Sequence, residues 1–286
     1  LPQARQWLNS SKNEISVIHC SFITDTITLL SDFTWSVIVM FKKVRRFLLA
    51  IPVLLAIVLI GGFVWLATPV GASMPQAIDA LQSDNVVEIS TEPYLVFSPT
   101  DQDPTVGFIF YPGAKVPAEA YAPAARAIAE AGYLVIIVPM PLNFAIFNIA
   151  GADDVIAQFP TIEKWAIGGH SLGGAMSARY AHDNPDKISG LVLWASYPEA
   201  SKSLADMDTK VTSVSGSLDG LATPDTILGS RPYLPADTAF VEIVGGNHAN
   251  FGWYGDQPGD NPATISRDAQ TAQIIDATVA LLAQLQ

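Results

Sequence analysis

From residue 86 to the C-terminus, short apolar runs alternate with segments of helical period, and few architectures accept that order. The runs are VVEIS (86–90), YLVFS (94–98), VGFIFYP (106–112), YLVIIVPM (133–140), WAIGG (165–169), ISGLVLWAS (188–196), VTSVSGS (211–217) and AFVEIV (239–244). Continuous rather than alternating hydrophobicity, clearest in 133–140, marks strands buried on both faces, the habit of parallel sheets. Helical patterns cover 117–131, 143–159, 172–182 and 266–285. In the first, Tyr121, Ala125, Ile128 and Ala129 share a face and Gly132 closes the helix. In the last, Ala272, Ile275, Val279 and Leu282 recur at helical spacing. The expectation is an α/β fold, a mostly parallel sheet with helices on both faces. The first two runs, parted by Thr91-Glu92-Pro93, are expected to pair antiparallel at its edge. Residues 86–286 suffice for one such domain, and 73–85 read as a linker.

Ahead of this domain the composition changes. Phe47 to Ala67 is a run of 21 residues without a charge. At about 1.5 Å rise per residue it crosses a hydrocarbon core of roughly 30 Å. Lys42, Lys43, Arg45 and Arg46 precede it, and such a flank holds that end in the cytoplasm and sends the downstream chain across the membrane. Residues 40–72 are therefore expected to be a signal anchor, with the domain extracytoplasmic. The other reading is a signal peptide cut after Ala72, against which stands the length of the apolar run, since signal cores span about 7–15 residues. Residues 1–39 show no steady period, and Met40 stands where an initiator is expected. They are read as a leader foreign to the native protein, or else a disordered cytoplasmic one. N-terminal sequencing of the natively expressed protein should find Met40 at or near the start; finding Leu1 there would overturn this reading.

From Ser73 onward there are 24 acidic and 9 basic residues, a net charge near −15. Nucleic acids and anionic lipid surfaces both call for clustered Lys and Arg, so neither is an expected partner. The single cysteine, Cys20, lies in the leader, so the exported part has no disulfide framework and no thiol nucleophile. No cofactor or metal is implied. The loop DQPGDNPAT (256–264) holds two aspartates, too few ligands for a firm Ca²⁺ site, and reads as a solvated loop.

The sharpest chemical signal is Gly169-His170-Ser171-Leu172-Gly173, with Gly174 following. It falls between an apolar strand and a helix of small residues, the setting that turns G-x-S-x-G into a nucleophile elbow. Glycines at 169 and 173 remove the β-carbons that would collide in the turn. Ser171 is thereby lifted clear, and the Leu172 amide is aimed to stabilise an oxyanion. Serine needs a base to take its proton. His170 adjoins the nucleophile but points away, and His182 ends a helix beside Asp183. His248, in GGNHANFG (245–252) after the last apolar strand, is expected to reach Ser171, because loops at the carboxyl ends of strands converge. The acid should lie between them in chain order and fix the imidazole tautomer. Asp219, in Gly216-Ser217-Leu218-Asp219-Gly220, follows a strand and fits. Glu199 is the best substitute; Asp206 and Asp208 precede the strand, and Asp225 reads as a helix N-cap.

Together FYPGA, GGHSLGGAM, SGSLDG and GGNHANFG resemble the α/β-hydrolase superfamily, in particular compact bacterial members similar to dienelactone hydrolases and carboxylesterases. The resemblance covers about residues 86–286. It implies a serine hydrolase that cleaves carboxylic esters through an acyl-enzyme, with a small-molecule ester as partner. It also implies a second oxyanion amide from the loop after an early strand, here Ala114 in Tyr111-Pro112-Gly113-Ala114. Pro-Gly replaces the His-Gly commoner in the family, and serine replaces the cysteine of dienelactone hydrolases. The same triad serves thioesterases, lipid or polymer hydrolases and peptidases, and from another class a silent surface binding protein can keep the fold. Only a short segment separates residue 196 from the strand at 211, so no domain-sized lid is expected. Met140, Leu142, Phe144, Phe147, Trp194, Phe251, Trp253 and Tyr254 flank the catalytic loops as candidates for an acyl pocket.

Overall fold

The computed structural model describes the backbone of residues 2–286 and the side chains of Phe22 and residues 24–286. Leu1 and the Cys20 side chain lie outside the described residues. The chain divides into two compact units, Leu1–Trp65 and Leu66–Gln286.

The first unit is formed by helix α1 (Pro2–Ala67). Residues 2–39, read from sequence as a foreign leader or else a disordered one, are helical. Within α1, Thr24–Ala67 is long and apolar enough to cross a membrane, and it buries none of that surface. Pro52 stands inside it, where a missing amide is tolerated if a membrane helix satisfies its backbone locally.

The second unit begins earlier than residue 86. Val70 donates its N–H to Lys115 O (2.8 Å), and Met74 donates to Trp253 O (2.8 Å). A short helix comes next, α2 (Pro75–Asp79), whose Ala77 is buried. The segment 73–85, expected as a linker, is thus packed onto the domain. Arg126 holds it there, donating to Gln82 O (2.6 Å) and pairing with Asp84.

The sheet has eight strands: β1 (Val87–Ser90), β2 (Leu95–Pro99), β3 (Val106–Tyr111), β4 (Leu134–Ile137), β5 (Lys164–His170), β6 (Gly190–Trp194), β7 (Lys210–Gly216) and β8 (Ala239–Ile243). Their order is β1-β2-β4-β3-β5-β6-β7-β8. β1 and β2 pair antiparallel, β2 runs antiparallel to β4, and every later pair is parallel. All eight apolar runs are strands, and the antiparallel edge lies where it was expected. The helices are α3 (Ala122–Glu130), α4 (Gly151–Gln158), α5 (Leu172–Asp183), α6 (Pro224–Gly229) and α7 (Arg267–Leu282). Ile128 of α3 and Ile274 and Leu281 of α7 join one buried cluster; Val155 of α4 and Met176 and Ala178 of α5 join another. The sheet lies between, since β strands contribute to both clusters, as a parallel sheet covered on both faces requires.

Two helices differ from the sequence pattern. Residues 143–159 are not one helix: short 3-10 turns at Pro141–Asn143 and Ala145–Phe147 precede α4. In α7 the buried face is Gln270, Thr271, Ile274, Thr278, Leu281 and Leu282, while Ala272 is exposed. The face is rotated because two polar residues find internal partners. Thr278 Oγ1 accepts from Trp194 Nε1 (3.2 Å) and donates to Ile274 O (2.8 Å). Gln270 bonds the backbone of Asn247 in the loop after β8. Replacing Thr278 by Val would leave the buried indole N–H without an acceptor, a loss of about 1–3 kcal/mol. Chemical denaturation should show that decrease in stability; an unchanged midpoint would mean that Trp194 finds another acceptor.

Candidate active site

β5 runs directly into α5, and Ser171 occupies the junction. Its backbone has φ 53° and ψ −124°, a positive φ costing about 1–3 kcal/mol in a non-glycine residue. The turn is held from two sides: Ser171 N–H donates to Trp194 O (3.0 Å), and Ser196 Oγ donates to Ser171 O (2.7 Å). The glycines are required by close approach. A Cβ on Gly169 would fall 2.5 Å from Gly173 C, and one on Gly173 would fall 2.1 Å from Tyr111 O and 2.4 Å from Pro112 O. These contacts also set the loop after β3, Pro112-Gly113-Ala114, against the junction. Leu172 is the first residue of α5, where helix amides have no acceptor within the helix.

Asp219 follows β7 and His248 follows β8. His248 Nδ1 lies 2.8 Å from Asp219 Oδ2, both side chains being buried. Asp219 Oδ1 accepts from Leu221 N–H (2.8 Å) and Ala222 N–H (2.7 Å). A carboxylate can only accept, so the neutral imidazole tautomer that pairs with Asp219 carries its hydrogen on Nδ1 and leaves Nε2 as an acceptor. Nε2 is buried without a hydrogen-bond partner. Ser171 and His248 line one cleft of about 290 Å³, together with Leu172, Ala175, Ala195, Ser196, Tyr197, Glu199, Leu221 and Ala222. Between β6 and β7 the chain forms only the 3-10 turn Ala200–Lys202, with no lid domain.

The other candidates are placed apart from this pair. Glu199 stands at the cleft wall, exposed, and the histidine's carboxylate partner is Asp219. Asp206 and Asp208 are exposed before β7. Asp225 is not the N-cap of α6; Thr223 is, its side chain accepting from Thr226 N–H (3.4 Å), because the threonine hydroxyl sits one residue ahead of Pro224. His182 Nδ1 lies 2.9 Å from Ser203 O. His170 is wholly buried 4.5 Å, ring to ring, from His248. Burial first, and second the repulsion that a protonated His248 would exert, hold its imidazole well below the usual value. None of the aromatic and apolar residues expected at an acyl pocket lines the cleft. Met140, Trp194, Phe251, Trp253 and Tyr254 are buried in the core, and Phe147 is exposed. The cleft wall is instead built from Leu172, Leu221 and the aromatic Tyr197, with small residues and Glu199 between them.

What the sequence did not reveal is how the histidine loop is held. Asp260 accepts from Gly220 N–H on Oδ1 (2.9 Å) and from Ala249 N–H on Oδ2 (2.8 Å). One carboxylate thus joins the residue after Asp219 to the residue after His248. Both of its oxygens are occupied by backbone donors, so the loop 256–264, largely exposed as expected, also braces the site through Asp260. Gln270 of α7 accepts from Asn247 N–H (3.0 Å) and donates to Asn247 O (2.8 Å). Arg267 donates to Ala249 O (2.7 Å), Gly252 O and Gly255 O (3.1 Å). The only hint in the sequence was an aspartate among glycines and prolines.

The geometry agrees with the family comparison. The model of the alpha/beta hydrolase family matches residues 107–272, more than half of the chain, and the protein belongs to that family. Among solved structures it is similar to Est1E from Butyrivibrio proteoclasticus, at TM-score 0.50 and 14% identity, covering 69% of this chain and 99% of that one. The structure of Est1E with ferulic acid bound matches at TM-score 0.50 and 13% identity, covering 68% and 98%. At this identity the likeness shows the fold. No curated protein matches the chain.

Removing the Asp260 carboxylate in Asp260→Ala deletes the hydrogen bonds from Gly220 and Ala249 N–H as well as a local one from Asn261 N–H, each of the first two worth about 1.5–3 kcal/mol. Hydrogen exchange at the Gly220 and Ala249 amides should accelerate on the order of 10- to 100-fold, at about tenfold per 1.4 kcal/mol. Unchanged exchange at both would show that the brace bears no load.

Proposed function

We propose that the protein is a carboxylic ester hydrolase in which Ser171 is the nucleophile, His248 the general base and Asp219 the orienting acid. The observation that carries the reading is the Asp219–His248 pair, 2.8 Å apart, whose histidine lines the same cleft as Ser171 and whose Nε2 has no other hydrogen-bond partner. His248 Nε2 takes the Ser171 hydroxyl proton as Oγ bonds to the ester carbonyl carbon. The carbonyl oxygen becomes an oxyanion, stabilised by the amides of Leu172 and Ala114. Collapse breaks the bond to the alcohol oxygen, which leaves with the proton from His248. Water then attacks the acyl-enzyme, giving a proton to His248, and the acid departs as that proton returns to Ser171 Oγ. In a substrate-free hydrolase the serine–histidine contact need not be closed, because it tightens as substrate binds.

The small, open cleft favours compact acyl groups and an ester reachable from solvent. A membrane anchor in residues 40–72, with the domain extracytoplasmic, is the accompanying proposal, supported by the spanning length of α1 and its basic flank. Retention of the anchor is favoured over cleavage after Ala72, since cleavage there would discard the Val70–Lys115 hydrogen bond.

The test is labelling of the protein with a fluorophosphonate, which reacts with activated serines. Stoichiometric labelling at Ser171, absent in Ser171→Ala and His248→Ala, is the expected outcome; folded protein that takes no label would overturn the reading. On a chromogenic ester, Ser171→Ala should lose about 10⁶ in turnover. Asp219→Asn, which reverses the imidazole tautomer, should lose about 10⁴. If Glu199→Gln were the more damaging of the two carboxylate changes, the acid assignment would move there.

A further inference from the structure

His170 and Tyr121 form a buried polar pair that the proposed reaction does not use. The Tyr121 hydroxyl lies 3.0 Å from Gly113 N and 2.9 Å from His170 Nδ1. Both side chains are essentially inaccessible to solvent. The Gly113 amide can only donate, so the phenol oxygen accepts there and its own proton is directed to His170. Burial pushes the Tyr121 phenol well above its usual pKa, so it retains that proton. With the Tyr121 proton directed to it, His170 Nδ1 is the acceptor, which leaves the hydrogen of the neutral ring on Nε2, a buried atom with no hydrogen-bond partner among the described residues. The ring so fixed stacks on Phe251 at 5.6 Å and 12°, and lies against His248 at 4.5 Å. At the other end of this hydrogen-bonded line, Gly113 immediately precedes Ala114. A Cβ on Gly113 would stand 2.8 Å from His170 Nδ1 and 3.0 Å from the Tyr121 hydroxyl, so the three groups meet as closely as they can.

We propose that Tyr121 and His170 are positioning residues which tie the Gly113–Ala114 loop to the ring supporting His248, and so keep oxyanion donor and general base in one geometry. The inference rests on the assignment of Ser171 as nucleophile and His248 as base. The amide of Gly113, the phenol and the imidazole form one hydrogen-bonded line from the loop after β3 to the back of the histidine after β8. An oxyanion donor acts on the transition state and little on bound substrate. Loosening this line therefore lowers kcat and leaves KM in place. A pair serving packing alone would alter stability without that division.

Tyr121→Phe is the suitable change, because it removes the hydroxyl and keeps the ring that packs on Phe110 at 4.8 Å. The full-length protein and this variant are compared in detergent by fluorophosphonate labelling and by kcat and KM on a chromogenic ester. In parallel, ¹⁵N imidazole spectra of the unaltered protein report the His170 tautomer, which requires no variant to fold. The expected result is labelling of the unaltered protein at Ser171 and a neutral Nε2–H tautomer at His170. In the variant, kcat should fall on the order of 10- to 100-fold, the scale of a misplaced catalytic group, with KM unchanged. Labelled protein whose variant keeps its kcat, or an Nδ1–H tautomer at His170, would overturn the positioning role and leave the nucleophile assignment standing. Folded, unlabelled starting protein would overturn that assignment and this inference with it.

Discussion

The site depends on how closely three stretches of backbone approach one another around Ser171. The end of β5, the first turn of α5 and the loop after β3 meet at contacts that admit no β-carbon at Gly169 or Gly173. That approach forces Ser171 into a positive φ, which only a well-determined surrounding can sustain. The surrounding is the parallel sheet: β5 is central, between β3 and β6, and Trp194 and Ser196 from the end of β6 bind the serine backbone directly. Strain at one residue is thus offset by burial and hydrogen bonding spread over three elements.

The same end of the sheet gathers the rest. Asp219 and His248 leave neighbouring parallel strands, β7 and β8, at their carboxyl ends, so their loops start side by side. Loops alone would not keep a histidine in place. Here Asp260 ties the two loops, while Gln270 and Arg267 of α7 grip the backbone on either side of His248. Most of these bonds are to backbone amides and carbonyls. They define the path of the main chain and leave the imidazole restrained chiefly by Asp219. On the opposite side, His170 fills the space behind that ring.

Much of this is legible in the residues. Eight apolar runs are eight strands, since a run buried on both faces has few other uses. Asp219 and His248, singled out by chain order and loop position, are in hydrogen-bond contact, and the elbow glycines stand where a β-carbon would collide. The departures from the sequence pattern share one cause. Periodicity turns Ala272 inward, yet Thr278 and Gln270 face the interior because Trp194 and the Asn247 backbone supply their partners. Large aromatics near the catalytic loops suggest an acyl pocket, yet most of them fill the core, and the aromatic on the cleft wall is Tyr197, which is not among them. Asp260 and the segment 73–85 look solvated or linking in sequence because their partners lie far away along the chain.

The sequence by itself determined the order of strands and helices, the strained serine turn and the long apolar helix ahead of the domain. Each comes from local rules: hydrophobic period, β-carbon sterics and the length of an uncharged run. Only the tertiary structure decided which polar groups face inward, which residues wall the cleft and what holds the histidine loop. Those outcomes depend on hydrogen-bond partners brought together from distant parts of the chain. A buried polar group is acceptable only where such a partner is waiting.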